Sequence, residues 1–310
     1  MSEPAPNDDA LVALAAGGKR AIARALARVE TAPRADDVVA LLDTAFARPK
    51  GRVIGLTGTP GVGKSTLASR FVARWRASGL SVAVVAVDPS SRLTGGALLG
   101  DRTRIATDPD DAKVFLRSFA ARDRLGGLSD SALAAIVLLA ALHDRVLVES
   151  VGVGQSEADV ALVADTVLLL IQPGSGDALQ FMKAGVMELP DVVAVTKADM
   201  GPLARQAAAD VAGALTLAIR DDARAPPPTL LVSARDDTGF DDLDAALDAM
   251  PVDPVRRAAR ARGWVLDAIG AEFGRRGRAR VEARGGGAGR PHPHATLERR
   301  WHAQGRRAKS

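Results

Sequence analysis

Residues 58–66, which read Gly-Thr-Pro-Gly-Val-Gly-Lys-Ser-Thr, constrain this 310-residue chain more than any other segment. They match the pattern G-x-x-x-x-G-K-[ST], with an apolar run before them (residues 53–56) and a helical pattern after them (residues 66–76). Glycines in such a loop let backbone N–H groups point at phosphate oxygens, and the N-terminus of the following helix adds partial positive charge. We therefore predict that this loop binds a nucleoside triphosphate.

The two polar residues at the end of the loop have separate predicted roles. Lys64 is expected to neutralise the β- and γ-phosphates, and the Ser65 hydroxyl is expected to bind Mg²⁺. The remaining phosphate contacts are predicted to come from the backbone of the loop. The complete predicted phosphate-binding set is Gly58, Thr59, Pro60, Gly61, Val62, Gly63, Lys64, Ser65 and Thr66.

Apolar segments alternate with helical patterns through the middle of the chain. Near-continuous apolar strands of this kind indicate a mostly parallel sheet with helices on both faces, so the predicted fold is a three-layer α/β P-loop NTPase. Beyond the first strand, further strands are predicted at residues 81–87, 114–119, 145–150, 166–172, 192–196 and 229–233. Helices are predicted at residues 11–30, 38–46, 131–142, 202–219 and 240–250.

This pattern predicts three parts. Residues 1–50 form an N-terminal helical extension, residues 51–250 form the P-loop domain, and residues 251–310 form a basic, helical C-terminal arm. The stretch Gly-Gly-Gly-Ala-Gly at residues 285–289 predicts a flexible linker within the arm.

Composition excludes several classes of site. The chain has no cysteine, so disulfides and thiolate metal sites are ruled out. No apolar stretch is long enough to span a bilayer, and residues 1–10 resemble neither a signal peptide nor a transit peptide. We therefore expect no membrane association and a cytoplasmic protein.

Charge is distributed unevenly along the chain. Residues 255–310 carry 15 Lys or Arg and 4 Asp or Glu, whereas residues 1–254 carry 26 and 33. Without interleaved aromatic residues, this basic tail favours a solvated helix or a docking arm over a nucleic-acid surface.

Acidic residues fall where the predicted strands end, which is where ligands bind in open α/β sheets. Asp88 is predicted to hold Mg²⁺ or a Mg²⁺-bound water, in preference to the alternative of a plain Asp-Pro turn, and Asp101 lies in a predicted switch loop. Glu149 is expected to reach Mg²⁺, and the N–H of Gly152 the γ-phosphate. Gln155 either orients the attacking water or caps the following helix.

The next strand ends indicate which base is bound. Asp199 can accept hydrogen bonds from N1 and N2 of guanine, an arrangement that adenine lacks, and the stem of Lys197 can cover the base. A backbone N–H near Ser233 and Ala234 can donate to O6. The base is therefore predicted to be guanine, bound by Lys197, Asp199, Ser233, Ala234 and Arg235.

Taken together, these motifs resemble the MeaB/ArgK family of GTPases, which are associated with cobalamin-dependent acyl-CoA mutases such as methylmalonyl-CoA mutase. The resemblance covers roughly residues 11–250. Two of its patterns, E-x-x-G-x-G-Q-x-E from residue 149 and P-G-x-G-D-x-x-Q from residue 173, are not general GTPase patterns. The resembling segments are residues 58–66, 87–91, 100–104, 149–157, 173–180 with Lys183, and 196–199.

The resemblance implies a homodimeric GTPase of the G3E group that acts as a metallochaperone. GTP hydrolysis would gate delivery of adenosylcobalamin to the partner mutase and protect that enzyme from inactivation. Asp88, Asp101 and Glu149 would surround Mg²⁺ and the γ-phosphate. Residues 172–183 would form a further switch that senses the mutase, and Lys183 would contribute to stimulated hydrolysis.

The chain departs from the family at Thr196, where the family usually has Asn. A Thr hydroxyl supplies one hydrogen bond and not a pair, so weaker base affinity is expected. No arginine stands out as a catalytic finger within the chain, but Arg92, Arg102 and Arg104 are candidates. Two other functions remain open, a small-molecule kinase that uses the same loop and a nucleic-acid-binding regulator that uses the tail.

Overall fold

A computed structural model describes residues 8–88, 105–120, 128–149, 160–174, 190–218 and 225–263, together with residues 266 and 274. The chain divides into two compact units. One is built from the described parts of residues 1–50, 133–142 and 253–310, and the other from those of residues 51–132 and 143–252. The limits of the three predicted parts of the chain stay a prediction.

Three helices lie within the first fifty residues: α1 (Asp8–Ala16), α2 (Gly18–Thr31) and α3 (Asp36–Ala47). The prediction of one helix over residues 11–30 was wrong, because the helix is interrupted at Gly18 and two helices form instead. That glycine has a φ of +62°, a left-handed conformation that interrupts a right-handed helix. The apolar repeat continues across the break, which is why periodicity alone did not reveal it.

In the part of the chain that the structure describes, seven strands form one sheet, and every neighbouring pair is parallel. The order across the sheet is β3-β2-β4-β1-β5-β6-β7, so β1, which leads into the phosphate loop, lies at its centre. Each predicted strand is present, and its ends lie within two residues of the predicted ones. The strands are β1 (Arg52–Gly58), β2 (Val82–Asp88), β3 (Val114–Ala120), β4 (Arg145–Glu149), β5 (Thr166–Ile171), β6 (Val192–Val195) and β7 (Thr229–Leu231).

Alternate side chains of the central strands pack on opposite faces. Leu168 and Leu170 of β5 join a core with α4 (Lys64–Ala77) and α7 (Phe240–Ala249). Leu169 and Ile171 join a second core with α6 (Pro202–Ala218). The sheet forms the middle of three layers, and because helices cover both of its faces, its strands are mainly apolar. A further helix, α5 (Asp130–Leu142), precedes β4.

The amino edge of the sheet, where the strands begin, is held by three aspartates. Asp165 accepts the backbone N–H of Val53 at 2.8 Å, and Asp191 accepts that of Val167 at 2.9 Å. Asp144 accepts the Ser81 backbone N–H at 2.8 Å in the same way. Each aspartate comes just before one strand. Asp165 and Asp191 accept an N–H of a neighbouring strand, and Asp144 accepts that of the residue just before β2. They therefore satisfy donors that have no partner within the sheet.

Arginine side chains bind the end of α7 at this same edge. Arg52 donates to the backbone oxygens of Leu247 and Asp248, which lie in the last turn of that helix. Burial, followed by the neighbouring charge of Arg145, lowers the pKa of the Arg52 guanidinium. The Leu247 oxygen also accepts the Met250 N–H at 3.4 Å, so Arg52 adds a side-chain cap to the backbone cap at the C-terminus of this helix.

No helix within the described ranges is long and apolar enough to cross a membrane.

Candidate nucleotide-binding site

The phosphate loop connects the central strand β1 to α4, as the sequence predicted. Gly63 precedes the helix with a φ of +104°, and a Cβ atom there would meet no atom within 4 Å. A side chain at this position is excluded by the backbone conformation and not by a lack of space. The loop therefore presents its backbone, and the N-terminus of α4, towards open space.

Lys64 lies against the loop that it follows. Its Nζ donates to the carbonyl oxygens of Gly58 at 2.8 Å and Thr59 at 3.0 Å, and the residue is 8% exposed. The ammonium group is thus held within the phosphate loop itself. In this position a positive charge is available to a polyphosphate that the loop binds.

Ser65 and Glu149 lie together, although 84 residues separate them in sequence. The Ser65 hydroxyl donates to Oε1 of Glu149 at 2.7 Å, and Glu149 is buried at 4% exposure. Parallel pairing places Glu149, the last residue of β4, beside Leu56 of β1. Sheet register therefore brings together two of the residues predicted to bind Mg²⁺.

These two oxygen donors suit Mg²⁺, which prefers hydroxyl, carboxylate and phosphate oxygens and usually keeps several waters. If Mg²⁺ is bound, Ser65 and Glu149 would hold it next to the phosphate loop, where its charge would offset that of the phosphates. Within the described ranges, no group of three His, Asp or Glu side chains forms an all-protein metal site.

A cavity of about 200 Å³ extends from the end of the phosphate loop to the ends of β6 and β7. It unites three segments of the sequence that were predicted to bind one nucleotide. The lining comes from the start of α4, the residues after β6 and the residues after β7. The lining residues are Val62, Gly63, Thr66, Leu67, Thr196, Lys197, Asp199, Val232, Ala234 and Arg235.

Asp199 is oriented by the segment that follows β7. Its Oδ1 accepts a hydrogen bond from the Ser233 hydroxyl at 2.9 Å, and its Oδ2 lies 3.8 Å from Nη1 of Arg235. The Arg235 side chain is 81% exposed, so solvent screens its attraction for the carboxylate. The Ser233 hydroxyl is therefore the stronger of these two influences on the orientation of Asp199.

The backbone contact to guanine O6, assigned to the segment of Ser233 and Ala234, stays a prediction, but the Ser233 N–H has a partner within the protein. The Ser233 N–H donates to the carbonyl oxygen of Thr238 at 3.0 Å, and the Thr238 N–H donates to the carbonyl oxygen of Ser233 at 3.1 Å. These bonds close a turn just beyond β7, which ends at Leu231 and not at the predicted residue 233. The backbone contact to O6 is left to Ala234 or Arg235.

Thr196 connects the base end of the cavity to the phosphate loop. Its hydroxyl lies 2.8 Å from the Val62 carbonyl oxygen and 3.2 Å from that of Ile171. One hydroxyl proton serves these two acceptors, and the shorter contact favours Val62. Thr196 is thus a link between β6 and the phosphate loop, a contact that its residue type alone did not predict.

Lys197 adopts a left-handed backbone conformation, with a φ of 54°, which is uncommon for a residue with a long side chain. This conformation turns the chain from β6 into the short 3₁₀ helix Ala198–Met200. The Lys197 Nζ donates to Oε1 of Gln172 at 2.6 Å, and the residue lines the cavity. Its predicted position over a bound base is consistent with this placement.

Several predicted site residues lie wholly or partly outside the description. Asp88 ends β2 and pairs with Ala120 of β3, but its side chain is not described. The structure therefore does not test whether Asp88 joins Ser65 and Glu149. The other predicted residues outside the described ranges are Asp101, Gly152, Gln155, Lys183, Arg92, Arg102 and Arg104.

Arg70 of α4 is a residue near the site that the sequence analysis missed. Its guanidinium donates twice to the Ala234 carbonyl oxygen, from Nε at 3.1 Å and from Nη2 at 2.7 Å. The two residues are 164 positions apart, and an arginine on an amphipathic helix usually indicates only a solvated surface. No local signal in the sequence identifies this contact.

The central parallel sheet, the glycine loop before α4 and the paired Ser65 and Glu149 define a P-loop nucleotide-binding protein. The chain matches the protein family described as Methylmalonyl Co-A mutase-associated GTPase MeaB over residues 22–261. That match covers most of the chain. The chain therefore belongs to the MeaB family of GTPases.

Individual relatives agree with this membership. A protein from Pyrococcus horikoshii is 44% identical over 198 residues, which make up 63% of this chain and 61% of that protein. The mouse protein named Methylmalonic aciduria type A homolog, mitochondrial, is 40% identical over 194 residues, 61% of this chain and 46% of its own length. The match therefore spans less than two thirds of either relative.

A solved structure described as LAO/AO transport system kinase has the same fold. It is 29% identical to this chain, with a TM-score of 0.64, and the alignment covers 88% of this chain and 89% of that one.

Proposed function

We propose that this chain hydrolyses GTP to GDP and phosphate, and that hydrolysis serves the loading or protection of a cobalamin-dependent acyl-CoA mutase. The observation that carries the first part is the continuity of the site. The cavity that reaches Asp199 begins at Val62, Gly63 and Thr66 of the phosphate loop. Ser65, which precedes Thr66 in the chain, donates to Glu149.

Different residues of the site would bind the phosphates, the Mg²⁺ ion and the guanine base. The backbone of the loop and Lys64 bind and neutralise the phosphates, which is the main protein contribution to phosphoryl transfer. Ser65 and Glu149 would hold Mg²⁺. Asp199 would accept the N1 and N2 protons of guanine, and the Ser233 hydroxyl keeps its carboxylate in place.

The proposed partner is supported by names and not by contacts. The family is described as associated with methylmalonyl-CoA mutase, and the mouse relative is named for methylmalonic aciduria. Adenosylcobalamin would be the cargo delivered to that partner. We further propose a homodimer, with residues 172–183 as the segment that responds to the mutase and Lys183 as its contribution to stimulated hydrolysis.

The test is phosphate release from GTP and from ATP, each with and without a purified cobalamin-dependent acyl-CoA mutase from the same source. We expect slow, guanine-specific hydrolysis that rises when the mutase is added. Guanine-specific hydrolysis that does not respond to the mutase would contradict the proposed partner alone. Equal hydrolysis of ATP would contradict the assigned substrate.

The runner-up function is a small-molecule kinase, favoured by the description of the similar solved structure as a kinase. A kinase transfers the γ-phosphoryl group to an acceptor, whereas a GTPase transfers it to water. Candidate acceptors should be incubated with γ-labelled GTP or ATP and the products separated. A labelled acceptor would favour the kinase, and label found only in free phosphate would favour the GTPase.

A further inference from the structure

We propose that Arg70 is a specificity-determining residue that positions the backbone contact to the 6-oxo group of guanine. The proposal rests on the function proposed above, because it concerns the base end of the same cavity. Arg70 lies in α4, six residues after Lys64, so one helix begins at the phosphates and continues to the loop after β7.

The loop in question is a closed turn. Ser233 and Thr238 exchange two backbone hydrogen bonds, at 3.0 and 3.1 Å, and the Ser233 hydroxyl accepts the N–H of Asp236 at 3.1 Å. Asp237 has a φ of 55°, a left-handed conformation within the turn that lets the next residue, Thr238, pair with Ser233. The turn is therefore internally fixed, but these bonds do not fix its position relative to the phosphate loop.

Arg70 supplies that external attachment. Its Nε and Nη2 both donate to the Ala234 carbonyl oxygen, and its Nη1 lies 3.8 Å from Oδ1 of Asp237. The side chains of Arg70 and Asp237 are 42% and 53% exposed, so their attraction is largely screened. The two charge-assisted bonds to the Ala234 carbonyl oxygen are thus the stronger attachment.

Fixing this carbonyl also fixes a donor. In a trans peptide the C=O and the following N–H point in opposite directions within one plane, so holding the Ala234 oxygen orients the N–H of Arg235. Ala234 and Arg235 both line the cavity, and they are the candidates left for the O6 contact. Asp199 would recognise N1 and N2 instead, through a carboxylate that Ser233 orients. Loss of Arg70 should therefore weaken recognition at position 6 and spare recognition at position 2.

Two guanine analogues separate these contacts. In 6-thio-GDP the O6 oxygen is replaced by sulfur, a weaker acceptor, while N1–H and the 2-amino group remain. IDP keeps O6 and lacks the 2-amino group. Dissociation constants for GDP, 6-thio-GDP and IDP should be measured on the full chain by titration calorimetry, for the wild type and for Arg70→Met.

We expect the preference of the wild type for GDP over 6-thio-GDP to fall about 3- to 10-fold in Arg70→Met, the value of roughly one hydrogen bond. The preference for GDP over IDP should stay within about twofold, since a carboxylate at Asp199 still accepts the 2-amino group. Arg70→Lys keeps the positive charge but cannot donate two hydrogen bonds in the planar geometry of a guanidinium. Its preference for GDP over 6-thio-GDP should therefore lie between those of the wild type and Arg70→Met.

Arg74→Met is the matched control. Arg74 lies one turn further along α4 and binds Asp244 at 2.9 Å, together with Asp241, both on α7 and not on the turn. An arginine is always charged near neutral pH, so Arg74→Met removes one positive charge from α4, as Arg70→Met does. We expect Arg74→Met to lower thermal stability and to leave both affinity ratios at the wild-type values.

The proposal is overturned if Arg70→Met keeps the wild-type ratio of GDP to 6-thio-GDP, if both ratios fall together, or if the wild type binds GDP and 6-thio-GDP equally. Should Arg70→Met not fold, an unchanged ratio in Arg70→Lys overturns it in the same way. A wild type that binds ADP as tightly as GDP would instead contradict the proposed function.

Discussion

The two edges of the central sheet use carboxylates in opposite ways. At the amino edge, Asp165 and Asp191 each accept a backbone N–H of a neighbouring strand. At the carboxyl edge, Glu149 and Asp199 each accept a serine hydroxyl, from Ser65 and Ser233. A backbone donor cannot turn away without disrupting the strand, whereas a hydroxyl can rotate towards an incoming ligand.

This contrast gives a physical criterion for separating structural from functional acids in one fold. Burial does not separate them, because Glu149 is as buried as Asp165. The kind of donor separates Asp165 and Asp191, which accept backbone N–H groups, from Glu149 and Asp199, which accept serine hydroxyls. Asp144, also at the amino edge, accepts both the backbone N–H and the hydroxyl of Ser81. Substitutions at the amino edge should therefore change stability, and substitutions at the carboxyl edge should change nucleotide binding or hydrolysis.

The largest effect is expected at Lys64. Lys64→Met removes the charge that neutralises the phosphates, and GTP hydrolysis should fall about 100- to 1000-fold, as when one preorganised donor is lost elsewhere. Steady-state phosphate release measures this rate, and the exposed Lys113→Met serves as a control for general charge loss. A Lys64→Met protein with more than a tenth of wild-type activity would contradict the assignment.

Glu149→Gln should weaken the dependence on Mg²⁺. The amide can still accept the Ser65 hydroxyl but carries no negative charge for the ion. We expect the Mg²⁺ concentration for half-maximal hydrolysis to rise about 10- to 100-fold, as is common when a group supporting a metal site is changed. A midpoint equal to that of the wild type would show that Glu149 serves only to hold Ser65.

Asp165→Ala should affect stability and not function. It leaves the buried N–H of Val53 without its carboxylate acceptor, and the free energy of unfolding should fall by about 1–3 kcal/mol. Urea denaturation measures this loss. Asp210→Ala, which removes an exposed contact to Gln206, is the control and should change little.

The proposed difference between the two edges would be contradicted if Asp165→Ala changed the free energy of GDP binding to the folded protein by more than it changed the free energy of unfolding. Affinity should therefore be measured at a temperature well below the unfolding transition.

Thr196→Val gives the smallest expected effect. It removes the hydroxyl bond to the Val62 carbonyl, so GDP affinity should fall about 3- to 10-fold. Thr196→Ser keeps the hydroxyl and should bind GDP like the wild type. Equal affinity in the Val and Ser variants would show that the link between β6 and the phosphate loop does not support binding.

Much of this architecture could be predicted from local sequence. The phosphate loop and the strands were predictable because continuous apolar runs bounded by glycine and proline have few other interpretations. Helix bounds were less predictable, as the break at Gly18 shows, because apolar periodicity continues across it.

Contacts between distant segments could not be predicted in the same way. The order of strands brings Glu149 to Ser65, and only that order makes the pairing visible. The hydrogen bond from the Thr196 hydroxyl to the Val62 carbonyl oxygen likewise joins residues 134 positions apart, so the residue type at position 196 does not reveal it. Arg70 carried no sequence signal, since its function depends on a turn 164 residues away.

The most direct test of the central claim, that the carboxyl edge is a guanine-nucleotide site, is calorimetric titration of GDP and ADP into the wild type and Asp199→Asn. We predict that the wild type binds GDP at least about 100-fold more tightly than ADP, since a carboxylate accepting two hydrogen bonds contributes several kcal/mol. Asp199→Asn should lose most of that preference. Equal binding of GDP and ADP by the wild type, or an undiminished preference in Asp199→Asn, would contradict the account.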